Sequence, residues 1–358
     1  MPFPRSGGRL VRSAVDLWKQ RAVPTHSPED IVALFVHTDP ASVTRPDMDL
    51  LHQHLRSRTL AFRPTHAVQL LSHFSRRSLN VPRETLLDLQ EVLLSDVQSF
   101  PNPMFVSALG VLAKLLGVTW APSTILAPLN RMSVANASPF ELITLLELGL
   151  ELDGSRDRAH RLHTSECLTP LQQAKLGYLL TDQALIDHIS ADTAPAAVIP
   201  HVFCFFATCG KPVPSRWLER ATQVGNTLTP TQAQLALWAL LSQSKESGLA
   251  ARLAANANLG EWRNVAMKHQ CALAIDSEHT IPYPIRIPQV AVGRKSAVLE
   301  KLERSHGSIE RNLKSGNYIF DARLPNGSLV LINTGDKRFP IFANFVSQPF
   351  IQIEALDV

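Results

Sequence analysis

Along most of the chain apolar residues recur at helical spacing, and prolines set the beat of that recurrence. Runs such as Val68-Leu70-Leu71-Phe74, Val106-Leu109-Leu112-Ala113-Leu116, Leu142-Leu145-Leu146-Leu148 and Leu235-Leu237-Leu240-Leu241 gather apolar side chains on one helix face. Each run follows a proline phrase: Ser27-Pro28, Arg63-Pro64, Asn102-Pro103, Ser138-Pro139, Thr169-Pro170, Ile199-Pro200 and Thr229-Pro230. Ser or Thr before Pro is an N-cap followed by the first helical residue: the hydroxyl accepts from an orphan N–H, and proline has none to orphan. A polar turn and a second helix follow, as at 82–94, 122–130 and 215–223. The phrases are 36, 39, 36, 31, 30 and 30 residues apart. Two helices at each step cannot bury an apolar face alone, whereas stacked pairs build a continuous core. The pattern predicts a mainly α protein whose residues 27–258 form an α-solenoid of about seven helix pairs. The proline-led helices are the buried ones, through Leu70, Leu109, Leu145, Phe205 and Leu237.

The texture changes near Gly260. A last helical stretch runs through Trp262, Val265 and Met267, after which three prolines between Ile281 and Pro288 forbid a helix interior; 259–283 reads as a linker. A polar helix is expected over 295–314. Extended runs follow at 318–324 and 328–332 around Pro325-Asn326-Gly327, a hairpin signal, and two more strands are expected at 339–345 and 349–355. Residues 284–358 thus read as a small C-terminal α/β domain.

Charge changes the picture at the N-terminus. Residues 1–26 hold Arg5, Arg9, Arg12, Lys19 and Arg21 against Asp16, which is the whole formal excess of +4. Leu10, Ala14, Leu17 and Trp18 form one apolar stripe among those bases. An Arg-rich, acid-poor amphipathic start predicts a presequence directing the chain to the mitochondrial matrix. No stretch has the length and apolarity of a membrane span. Four cysteines in 358 residues are no disulfide scaffold, and they suit a reducing compartment. His201, Cys204 and Cys209 lie close in sequence but lack a second half-site for tetrahedral zinc. Their place in a buried helix makes them core residues. With only 16 glycines and no Gly-rich phosphate loop or nucleophile elbow, a small-molecule enzyme is unsupported and no cofactor or metal is expected.

The order helical array, helix, strand with Asp, turn, apolar strand resembles the RAP-domain proteins. These include the FAST-kinase-like mitochondrial RNA-binding proteins and their octotricopeptide-type relatives. RAP domains resemble a PD-(D/E)XK nuclease core, in which an Asp ends one strand and an acidic residue follows on the next. Gly316-Asn317-Tyr318-Ile319-Phe320-Asp321 resembles the first element, and Leu329-Val330-Leu331-Ile332-Asn333-Thr334-Gly335-Asp336 the second. Asn333 stands at the acidic position. A nuclease metal needs several carboxylates, so Asp321, Asn333 and Asp336 read as degenerate positions and the domain as non-catalytic.

The resemblance implies RNA as partner, and basic clusters point the same way. Between Arg45 and Arg83 lie seven arginines against Asp47 and Asp49, and residues 284–358 carry ten bases against seven acids. Arginine grips phosphate bidentately and stacks on bases. The expected RNA contacts are Arg56, Arg58, Arg63, Arg76, Arg77 and Arg83 in the repeats. In the tail they are Arg294, Lys295, Arg311, Lys314, Lys337 and Arg338. Residues 84–153 reverse to eight acids against Lys114 and Arg131. Two functions fit. One is a non-catalytic factor in mitochondrial RNA processing, stability, editing or translation, holding rRNA, mRNA or guide-type RNA. The other is a structural subunit or assembly factor of a mitochondrial ribonucleoprotein such as the mitochondrial ribosome, with protein subunits as partners and no membrane.

Overall fold

The computed structural model of the chain describes residues 27–37, 43–56, 62–77, 79–95, 102–116, 129, 134–165, 167–243, 247–258, 264–276, 281, 283–286, 292–333 and 338–354. The expected presequence and most of the expected helix at 122–130 lie outside them. The protein is mainly helical with a small C-terminal sheet and divides into two compact units, 1–137 and 138–358. Among the described residues no helix is long and apolar enough to cross a membrane.

The first unit contains α1 (Pro28–His37), α2 (Arg45–Arg56), α3 (Pro64–Arg77), α4 (Arg83–Leu94) and α5 (Asn102–Leu116). Alternate helices pack together: α1 on α3, α3 on α5, and α2 on α4. Two side-chain contacts join alternate helices. Glu29 of α1 meets His66 of α3 at 3.3 Å, and His52 of α2 meets Asp88 of α4. Partners 37 and 36 residues apart match the spacing of the proline phrases.

The second unit runs α6 (Pro139–Glu147), α7 (Ser155–Thr164), α8 (Pro170–Leu180), α9 (Gln183–Asp187), α10 (Ile199–Thr208), α11 (Ser215–Val224), α12 (Pro230–Leu241), α13 (Ser247–Asn256) and α14 (Val265–Ile275). Here too α6, α8, α10, α12 and α14 pack in succession. The caps form as their chemistry dictates. Ser138, Thr169 and Thr229 each accept from the backbone N–H three residues on, and Glu141, Gln172 and Gln232 reach back to the cap's own N–H. Leu70, Leu109, Leu145 and Leu237 are fully buried and Phe205 nearly so. Helix α10 is buried all round, as its uninterrupted apolar run requires.

The tail has β1 (Ile285–Arg286), α15 (Val292–His306), β2 (Glu310–Ser315), β3 (Tyr318–Arg323), β4 (Leu329–Asn333), α16 (Phe339–Asn344) and β5 (Phe350–Glu354). Strand β3 pairs antiparallel with β2 along its whole length. Its other edge is shared, antiparallel with β4 at Ala322–Arg323 and parallel with β1 at Tyr318–Ile319. Strand β5 lies parallel to β4, with α16 in the crossover.

Two expectations need correction. Residues 339–344 form helix α16, not a strand: Pro340 sits in the first turn, where its missing N–H costs nothing. The polar helix stops at His306 because Gly307 takes φ +84° and its N–H bonds to Glu303 O. Residues 310–315 are then an edge strand. The helical stretch through Val265 and Met267 is α14, packed on α12, and the tail shares a core with the helices before it. Buried Gln270 of α14 joins them. It accepts from Trp238 Nε1 at 2.8 Å and donates to Phe342 O at 3.0 Å, while the Trp238 and Phe342 rings lie 4.6 Å apart.

Candidate nucleic-acid interface

The arginine-rich stretch of the first unit does not form one patch. Arg63 precedes α3 while Arg76 and Arg77 end it, and 14 helical residues separate such ends by about 20 Å. Arg83 opens α4, six residues beyond the end of α3 on the chain. Arg63, Arg76, Arg77 and Arg83 are exposed. Arg56 is exposed too, but its Nε lies 3.3 Å from buried Asp88, which also binds His52. Part of its charge is therefore spent within the fold. Arg58 lies outside the described residues. A groove of about 760 Å³ runs between α1 and α3, with Val32, Val36 and Val68 among its walls, Arg76 and Arg77 at the C-terminal end of α3, and Glu29 near the start of α1. Sequence spacing alone could not separate the arginines lining this groove from the rest, since that depends on which helices stack.

In the tail, Asp321 is engaged by the protein itself. Asp321 is 3% exposed and Lys295, on α15, is 8% exposed. Lys295 Nζ pairs with Asp321 Oδ1, and Ile332 N donates to Asp321 Oδ2 at 2.7 Å. In regular register Ile332 would face Phe320, but β4 has left β3 by that point. The Asp321 carboxylate bridges the opening. Lys295 is therefore corrected from a surface RNA contact to a buried countercharge. Its apolar neighbours Val298 and Leu299 hold α15 against Ala322, Val330 and Ile332. The sequence carried no sign of this pair, whose members are 26 residues apart with a whole strand between them.

Asn333 is buried at the end of β4, opposite Glu354 of β5. Asp336 and Lys337 lie outside the described residues, as does the Arg294 side chain. Arg311 is exposed and pairs with Glu303 at 2.5 Å; Lys314 is exposed and Arg338 half-buried. Among the described residues no three His, Cys, Asp or Glu side chains converge as metal ligands. Cys204 and its neighbours are packed as core. Burial pushes the Cys204 thiol far up and, with Lys175 nearby, the His201 imidazole down to about 4.

No protein-family model matches the chain, and no curated protein matches it.

Proposed function

We propose that the chain is a non-catalytic RNA-binding factor of mitochondrial RNA metabolism or translation. In this reading the repeats stack as an α-solenoid that holds RNA, and the RAP-like tail is a clamp rather than a nuclease. One observation carries the non-catalytic part. Both oxygens of Asp321 are engaged, one by the Lys295 ammonium and one by a backbone N–H. That carboxylate already has a protein cation as its counterion, a hard cation needs several oxygen ligands, and Asn333 offers no charge. In the order α15-β2-β3-β4-α16-β5, Asp321 lies within β3 and Asn333 ends β4, where the resemblance expects an acidic residue. RNA binding is supported by the exposed Arg63, Arg76, Arg77 and Arg83 and by the groove that Arg76 and Arg77 line. Matrix localisation rests on the basic amphipathic start.

Phosphate contacts release counterions, so affinity should fall steeply with salt. Reversing Arg63, Arg76, Arg77 and Arg83 to Glu should lower affinity for single-stranded RNA at least tenfold without changing the thermal melt. Magnesium-dependent RNA cleavage that Asp321→Ala abolishes would overturn the non-catalytic reading.

A further inference from the structure

Helices α1 and α3 lie side by side and run the same way. Glu29 meets His66 near their N-terminal ends, and the Phe35 and Phe74 rings meet edge to face at 5.9 Å toward their C-terminal ends. The two contacts set the level of every residue along the groove between the helices. Arg76 and Arg77 stand at its C-terminal end, and Val36, Val32 and Val68 wall its middle. Gln69 comes level with Val32, and Glu29 lies one turn further, at the opposite end from the arginines. Gln69, Arg76 and Arg77 are exposed, and Val36 and Val68 are half-buried.

Cations, apolar walls and a polar end follow one another in the order of a nucleotide's own parts: phosphate, ring, base edge. Two helical turns, about 10 Å, part Gln69 from Arg76, which is the reach from a phosphate to the edge of its own base. The groove's volume of about 760 Å³ is that of an ordinary ligand cleft. Only an unpaired base can enter between apolar side chains with its pairing edge free for hydrogen bonds. Phosphate is drawn to the guanidinium end and repelled from the Glu29 side chain, which is 65% exposed, so one orientation is favoured. At the edge, the Gln69 amide offers a donor and an acceptor, whereas the Glu29 carboxylate only accepts. A base amino group suits both. Uracil instead presents the O4 acceptor where an amino group would be, and two acceptors face each other.

We propose that the α1–α3 groove holds an unpaired nucleotide of single-stranded RNA and prefers a base that carries an amino group. Arg76 and Arg77 hold the phosphate, Val32, Val36 and Val68 flank the base, and Gln69 and Glu29 meet its edge. The inference rests on the RNA-binding reading and gives one of its surfaces a base preference.

The test uses the full chain and fluorescent cytidine and uridine 12-mers, whose bases match in size and differ at the amino group, with affinity measured across a salt series. The wild type should bind the cytidine strand about tenfold more tightly, the discrimination of one good edge contact. Gln69→Ala should lower affinity for the cytidine strand and narrow the preference at the same salt slope. Glu29→Gln should narrow it too, by tightening the uridine complex. Arg76→Glu with Arg77→Glu should weaken both complexes about tenfold or more and flatten the log–log salt dependence by about 1.4, the share of two single-strand phosphate contacts. Unchanged thermal melts show that the variants fold, and Arg76→Gln with Arg77→Gln serves if the reversals do not. If the wild type binds both strands equally while the arginine reversal loses binding, the base preference is refuted and the RNA reading stands. A preference that survives both Gln69→Ala and Glu29→Gln is read elsewhere and also overturns the proposal. Displacement of the 12-mer by equimolar cytidine monophosphate would make the occupant a free nucleotide. A photocrosslinker at Val68 that couples only to a protein helix would make it a protein; either result overturns the proposal. If neither 12-mer binds, the proposal and the RNA reading fall together.

Discussion

Replacing Lys295 by methionine isolates what the buried ion pair contributes. Methionine keeps most of the lysine stem and so most of its packing, but it removes the countercharge from an Asp321 that is 3% exposed. Removing one partner of a buried pair costs about 3–5 kcal/mol, because the remaining charge has been taken out of water. A typical domain is stable by only about 5–15 kcal/mol. In a unit of this size each kcal/mol moves Tm by about 2–4 °C, so the melt should fall by about 10 °C. Asp321→Asn should cost a similar amount, since it leaves the Lys295 ammonium buried without its carboxylate. The double variant Lys295→Met, Asp321→Asn contains neither lone charge and should recover at least about 2 kcal/mol of the summed loss, as residues in direct contact do. Urea unfolding followed by far-UV circular dichroism reads all four corners of the cycle. Single variants that melt within about 1 °C of the wild type, or a strictly additive double variant, would show that the pair does not hold the strands together.

Gln270→Leu leaves the buried Trp238 N–H and the Phe342 carbonyl without Gln270; at about 1–3 kcal/mol per orphaned group the second unit should lose about 3–5 kcal/mol in a single cooperative melt, and an independently melting, unaffected tail would contradict the shared core. Gly177→Ala places a methyl 2.6 Å from Ile186 Cδ1, so it should destabilise by about 1–3 kcal/mol despite the better helix propensity, with relief by Ile186→Val; calorimetry showing a gain would refute the close approach of α8 and α9. His201 is held neutral, its pKa pushed from the ordinary 6.5 down to about 4 by burial and by nearby Lys175. Below the unfolded value the unfolded chain binds the extra proton, so this stability is complete above pH 6.5, declines from there to pH 4 by about 3 kcal/mol, and should decline less in His201→Gln; identical pH profiles would sink the assignment.

Local chemistry made the helical part legible. Ser138, Thr169 and Thr229 before prolines state their caps in four residues, and Leu109 or Leu237 declare a buried face by spacing alone. The tail was less legible wherever distant residues decide. The run Phe339–Phe345 is apolar enough for a strand or a buried helix, and only its packing against α10 separates the two. Strand β2, polar and at the sheet edge, has one side facing water and carries no alternation to read. Lys295 resembles any surface lysine until the fold brings it to Asp321. Arg63 and Arg76 look like one cluster on the chain, yet a helix length divides them. What sequence proximity suggested as a patch, the stacking of alternate helices turned into separate surfaces.

Ultraviolet crosslinking of the protein within complexes purified from mitochondria, with the crosslinked peptides identified by mass spectrometry, tests the central claim most directly. The account predicts RNA adducts on peptides spanning 63–83 and 294–338, with the bound RNA recovered uncut in the presence of magnesium. Crosslinks that reach only neighbouring proteins, with no RNA on either segment, would contradict RNA binding and leave the chain a protein scaffold.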